Sequence, residues 1–458
     1  MNIEALVRSL ATPLPEDILK RKWAGDLEGA QAAIRRRLAG ELPQGLRDRL
    51  MVEQERLHRL PTQYPWNREQ AFAKLCELVP DITEAEFDDL ELDGKIDFLY
   101  LQGEKRYFVR FHRTLVKTIP ALMARSGGRT DGVSPWLDPM IEELRTTGHL
   151  GYRITLQGAM HLEDSAFVPG VYRAHLPVPA PCAQQREIQI EAPGAELAPE
   201  DAPARTAYVE RAMDKWEDIP LAYTYVNEIR YADPLHQPVP DAPLYPNARP
   251  VEPADLAEEA PYLRFTPYLR QLAAELAGVE TEPVRKAKRF YDFVTQKVQY
   301  SFMRDYFQID DLGEYCAVNL KGDCGLQALL FILLCRISGI PARWQSGLTI
   351  DEDYVGSHDW AQFYVPGWGW LFADPSYGGG AWRNGNPVRH AFYFGNLDPM
   401  RMVANRCFQG ELTPVKQQLR IDPYDNQSGE LELADPSARP FTGRDLDTDM
   451  SLIRRERL

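Results

Sequence analysis

The sequence predicts an α+β protein: a helical region and a small β-sandwich-like module precede a core in which a helix packs on an antiparallel sheet. Three observations carry this. Residues 1–92 place apolar residues at helical spacing between capping signals. From Gly151 the period changes to two. Residues 319–344 and then 357–375 read as one buried helix followed by an aromatic hairpin. The expected divisions are 1–148, mainly helical with a β-hairpin; 149–250, a β-module with proline-rich linkers; 251–405, the core; and 406–458, a polar C-terminal extension.

In order, Leu27–Leu38 ends at Gly40, and residues 45–60 form a helix that Pro61 is expected to stop. Asn67 caps a segment with Ala71, Phe72, Leu75 and Val79 on one face, and Thr83 with Glu86 makes a capping box. Asp93-Gly94 turns the chain into a hairpin of 96–101 with 106–111. Arg110, His112 and Arg113 read as a solvated basic spot. Segments 152–156, 160–162, 171–176, 186–191 and 223–231 alternate as strands do. The proline-rich stretches 193–203 and 233–253 are connections, the second being the better boundary. Helices are expected at 262–277 and 282–298, then an acidic loop at 305–315 that lines a cleft entrance. After the hairpin, Trp382 and Arg383 either shape a cleft wall or cover the core, the second being the favoured reading. In the tail, 417–421 and 429–433 are candidate strands, and 437–457 has the proline and charge content of a mobile end.

The stretch NLKGDCGLQALLFILLCRISGIPARW, residues 319–344, organises the rest. Asp323 is a helix N-cap, and Leu326, Leu329, Leu330, Leu333, Leu334 and Ile337 put one broad face in a core. Gly339 stands where a left-handed C-cap is expected, and Pro341 prevents continuation. Cys324 therefore falls in a first helical turn, where free N–H groups and the helix dipole favour a thiolate. In SHDWAQFYVPGWGWLFADP, residues 357–375, two aromatic runs flank Pro366-Gly367. A three-residue loop at 365–367 pairs His358 with Asp374 on one face, whereas a four-residue loop at 366–369 offsets Asp374 by three positions. A carboxylate beside an imidazole fixes its tautomer, leaving the other nitrogen to activate a thiol.

With these residues in view, GDCGLQALLFILLCRISGIPARW followed by SHDWAQFYVPGWGWLFADPSYG resembles the core of the transglutaminase-like superfamily, related to papain-like enzymes. The resemblance is dense over about 284–380, and the short gaps look like the bacterial protease-like branch. It implies Cys324 as nucleophile, His358 as general base and acid, and Asp374 as orienting carboxylate. Asp359 stands where the family often has Ala and is expected to leave the triad untouched. Tyr300, and next to it Tyr306, are candidate hydrogen-bond donors to an oxyanion alongside the Cys324 N–H.

Composition narrows the partners. A formal net charge of −15 over 458 residues argues against nucleic-acid or anionic-membrane surfaces. No apolar run is long enough to span a bilayer, and no secretory signal is visible, so a cytoplasmic location is the expectation. The six cysteines lack CxxC spacing, so neither a zinc site nor a disulfide framework is expected, and no cofactor is called for. The resulting expectation is a cysteine hydrolase acting on amide bonds of a protein or peptide. Its alternatives are a protein-glutamine acyltransferase using the same thioester, and a non-catalytic scaffold whose N-terminal region binds a protein partner.

Overall fold

Caps and apolar spacing shape the first part of the chain much as the sequence predicts. A computed structural model describes residues 7–127, 135–421, 427–435 and 437–458, and it is a mixed helix-and-sheet protein. Helices α1 (Glu16–Trp23), α2 (Leu27–Leu38), α3 (Gln44–Gln63), α4 (Arg68–Leu78) and α5 (Glu84–Leu92) come first. Asn67 with Gln70 and Thr83 with Glu86 both close reciprocal capping boxes. Pro61 does not stop α3, which runs on to Gln63; the missing N–H removes one helical bond, to the Leu57 carbonyl, and the helix ends within two residues. Strands β1 (Phe98–Leu101) and β2 (Glu104–Tyr107) form the expected hairpin, but Phe111 opens a helix, α6 (Phe111–Thr118). Ile34, Leu57, Leu75, Phe87 and Phe111 belong to a hydrophobic core confined to this region.

The β-module follows: β3 (His149–Leu162), β4 (Gly170–Pro177), β5 (Gln185–Glu191), β6 (Glu196–Leu197), β7 (Thr206–Met213) and β8 (Ile219–Arg230). The two short strands expected at 152–156 and 160–162 are one strand. It stays continuous through Gly158, where a Cβ would lie 1.7 Å from the Asp449 carbonyl oxygen. Strand β7 has no counterpart in the sequence reading, because its charged middle masks the alternation.

The core is built from α7 (Pro267–Ala277), α8 (Pro283–Lys297), β9 (Gln299–Tyr300), α9 (Leu312–Asn319), β10 (Lys321–Gly322) and α10 (Cys324–Ile337). After α10 come β11 (Ala342–Ile350), β12 (Val355–Val365), β13 (Gly369–Ala373), α11 (Pro375–Arg383), β14 (Phe394–Gly395) and β15 (Arg401–Asn405). Five strands make an antiparallel sheet in the order β14-β13-β12-β11-β15. Helix α10 packs on β11 and β12 while α7, α8 and α9 cover it from elsewhere. Every residue from Gly325 to Arg336 is therefore buried, rather than the single face expected. Gly339 does adopt the left-handed conformation, at φ +77°.

The tail is the largest departure. The strand expected at 429–433 forms as β16 (Glu430–Leu433), but where a mobile end was expected lies β17 (Leu446–Arg457); each completes a four-stranded sheet of the β-module, in the orders β16-β4-β7-β6 and β17-β3-β8-β5. Leu446 and Met450 are buried while the residues between them face solvent, the pattern of an edge strand, which composition reads as polar. The module in turn braces β15. The Tyr225 hydroxyl and the Asn227 amide both donate to the Arg401 carbonyl at 3.1 Å, and Gln185 bonds the Val403 backbone on both sides. One hydrophobic core runs through both parts, from Leu150 and Tyr225 to Leu330 and Phe363.

Candidate active site

Register decides what the hairpin can do. Val365 pairs with Gly369 and Tyr364 with Trp370, so the loop is 366–368 and the pairing is shifted by two from the one expected. Because side chains alternate with a period of two, a shift of two keeps His358 and Asp374 on one face. His358 Nε2 donates to Asp374 Oδ2 at 2.7 Å, and both residues are buried. The other Asp374 oxygen caps α11 by accepting the Tyr377 N–H at 2.9 Å. Arg401, itself 1% exposed, holds Asp374 Oδ2 at 3.1 Å and Asp398 at 2.6 Å.

Each charge follows from this packing. Burial pushes the His358 pKa down; the Asp374 carboxylate opposes this and the Arg401 guanidinium adds to it. Burial would raise the Asp374 carboxyl, but His358 and Arg401 outweigh it and hold the group below the usual carboxylate range. His358 is thus a neutral imidazole at pH 7 with its proton on Nε2. The Tyr377 ring stands edge-on to the imidazole at 4.8 Å and the Trp360 ring lies at 6.0 Å, which immobilises it.

Cys324 is the first residue of α10, as the spacing predicts, and Asp323 caps the helix by accepting the Leu326 N–H at 3.1 Å. The thiol, however, donates to Asp359 Oδ2 at 3.2 Å and not to His358. Asp359 follows His358 on β12 and points to the opposite face, where Phe363 meets Phe331 of α10. The expectation that Asp359 leaves the site untouched is therefore corrected, and strict alternation along β12 is the signal that could have shown it. Burial pushes the thiol well above its ordinary pKa. Asp359 and Asp323 push it further, and the Lys117 charge opposes them. The helix N-terminus does not by itself produce a thiolate here.

The surroundings explain the rest. Tyr306 donates to Asp323 Oδ1 at 2.5 Å, and Asp323 is pushed up to about 6 by burial. A Cβ on Gly325 would fall 2.0 Å from that tyrosine oxygen, so the position needs glycine. Segment 305–315, expected as an acidic loop, instead packs Tyr306 into the core and continues into α9. Tyr300 lies beside Gly322 in the short parallel β9–β10 pair, with the Lys117 Nζ 4.0 Å from its ring centre. Gln427 of the tail reaches the site, donating to Asp359 Oδ1 and, at 3.4 Å, to the His358 carbonyl. Lys117, Arg401 and Gln427 carry no local sequence signal, since they come from elements far from the hairpin.

A cavity of about 280 Å³ adjoins Tyr377 and Tyr300, with Lys117 and Arg383 in its wall. Arg383 lines the cavity, the less favoured of its two expected roles, while Trp382 is half exposed against His390. A larger cavity, about 620 Å³, is bordered by Tyr262, Phe307 and Phe408; neither cavity is lined by Cys324 or His358, and the smaller one adjoins His358 through Tyr377. Among the described residues no cluster of three or more His, Cys, Asp or Glu is placed to hold a metal ion. None of the described helices is long and apolar enough to cross a membrane.

Residues 270–375, which include Cys324, His358 and Asp374, match the family model of the transglutaminase-like superfamily. This segment is similar to the core of that superfamily. The chain also has remote similarity to solved structures. A candidate cysteine protease from Cytophaga hutchinsonii is 13% identical with a TM-score of 0.38, over 68% of this chain and 90% of that one. The periplasmic domain of TgpA from Pseudomonas aeruginosa is 16% identical with a TM-score of 0.30, over 55% and 95%. No curated protein matches the chain.

Proposed function

We propose that this protein is a cysteine hydrolase that cleaves amide or peptide bonds through a thioester on Cys324. The observation that carries the reading is the buried His358–Asp374 pair, held by Arg401, on the strand whose next residue bonds the Cys324 thiol. The reaction requires the thiol to leave Asp359 and reach His358 Nδ1 across the edge of β12, where it gives up its proton. Sulfur attacks the carbonyl carbon, the C–N bond breaks, and the imidazolium gives its proton to the leaving amine. Water, deprotonated by the same nitrogen, then releases the acid and restores the thiol. Asp374 keeps Nε2 protonated throughout, and Arg401 keeps Asp374 ionised. The Cys324 N–H at the start of α10 is a donor to the oxyanion, with Tyr300 as a candidate second.

The Asp359 contact favours a second reading, a binding module whose thiol is held protonated and inert. An amine intercepting the thioester would make the enzyme an acyltransferase. The experiment is mass spectrometry of a peptide mixture incubated with a tagged primary amine, comparing wild type with Cys324→Ala. Cys324-dependent cleavage products support the hydrolase, and tagged products support the acyltransferase. Identical patterns in the two proteins sink both and leave the binding module.

A further inference from the structure

We propose that the 280 Å³ cavity, whose Tyr377 wall packs on His358, receives a carboxylate of the substrate, bound by Lys117 and Arg383. The inference rests on the proposed reaction only for where the substrate lies.

The argument begins with the charges. In a chain of net charge −15, cations near a cleft are expected to find carboxylates, and most here do. Arg389 is turned to Asp138 at 2.8 Å, and Arg401 is taken by Asp398 and Asp374. Lys117 and Arg383 are the exceptions. Neither forms an ion pair among the described residues, although both border the 280 Å³ cavity. They sit close enough for the Arg383 charge to disfavour the Lys117 charge. Two like charges left facing one cavity are stabilised by an anion from outside.

The carboxylates in the wall do not fill that need. Asp351 accepts from the Trp136 indole at 3.0 Å and from the Glu352 N–H, and Asp398 belongs to Arg401. Lys117 is positioned rather than trailing in solvent, since its ammonium lies over Tyr300 at 4.0 Å and over Phe302 at 5.3 Å. The site is therefore polarised: Asp359 and Asp323 act on the thiol as negative charges and Lys117 as the opposing positive one. A substrate whose carboxylate meets Lys117 and Arg383 lies along Tyr377, whose ring packs on His358. The carboxylate is either an acidic side chain beside the attacked bond or a free C-terminus.

The test uses full-length Cys324→Ala protein and three dye-labelled peptides of one sequence: a free C-terminal carboxylate, a C-terminal amide with an internal Glu, and a C-terminal amide with Gln in its place. Fluorescence anisotropy is expected to show one or both carboxylate peptides binding about tenfold tighter than the uncharged one, as a charge-assisted contact implies. Whichever peptide holds the advantage identifies the source. The advantage is expected to vanish in Lys117→Gln/Arg383→Gln and to persist in Lys117→Arg/Arg383→Lys. Equal binding of all three, or an advantage unchanged by the glutamine pair, overturns the proposal. Binding needs no turnover, so a charge preference without Cys324-dependent products would fail the reaction and keep the site, and the converse would do the opposite.

Discussion

Asp359 is where one side chain decides the state of another. Its carboxylate accepts the Cys324 proton, and with Asp323 and burial it raises the thiol pKa. A raised thiol pKa means the protonated form prevails at pH 7, so reaction with iodoacetamide speeds up as pH rises toward that pKa. Asp359→Ala removes both the acceptor and the charge. Alkylation of Cys324 at pH 7 should become faster, by about tenfold for each unit the pKa falls. Peptide-level mass spectrometry against the other five cysteines reads this directly. A rate equal to wild type would show that burial, not Asp359, governs the thiol. His358 carries the opposite sign: burial lowers its pKa, so it stays neutral and available as a base to pH values below the usual imidazole range.

At the scale of elements, α10 depends on a cap that is also part of the site. Asp323 satisfies the Leu326 N–H and is satisfied by Tyr306. Asp323→Ala leaves that N–H and the buried tyrosine hydroxyl without their partner and should destabilise the protein by about 1–3 kcal/mol. Asp323→Asn keeps an acceptor without burying a charge and should lie within about 1 kcal/mol of wild type at pH 7. Urea unfolding measures both; equal losses would mean that the charge itself, rather than the cap, matters. The hairpin makes a related point. Its loop is one residue further along than the shorter expected loop, and only the even size of the resulting shift keeps His358 with Asp374.

In the molecule as a whole, two hydrophobic cores set what unfolds with what. One holds α1 to α6 together, while the other is shared by the β-module, the transglutaminase-like core and the tail strands. The second should melt as a unit, because β15 is bonded to β5 and β8 of the module. Calorimetry is expected to resolve at most two transitions. Deleting residues 446–458 should lower the one that hydrogen exchange assigns to β11–β13. Unchanged exchange in β11–β13 after that deletion would show the core to be independent of the module.

What the sequence determined by itself is local. Spacing placed α10 and its first-turn cysteine, and polar side chains marked the caps at Asn67, Thr83 and Asp323, while alternation left two registers for His358 and Asp374, which the strand pairing decided. These follow from periods and from hydrogen bonds spanning a few residues, which a linear pattern records. Tertiary structure alone decided that the thiol meets Asp359, that Arg401 holds Asp374, that Gln427 returns from the tail, and that Lys117 and Arg383 share a cavity. Those contacts join residues tens to hundreds of positions apart. They exist because sheets and helices pack face to face, and no periodicity along the chain encodes which faces meet.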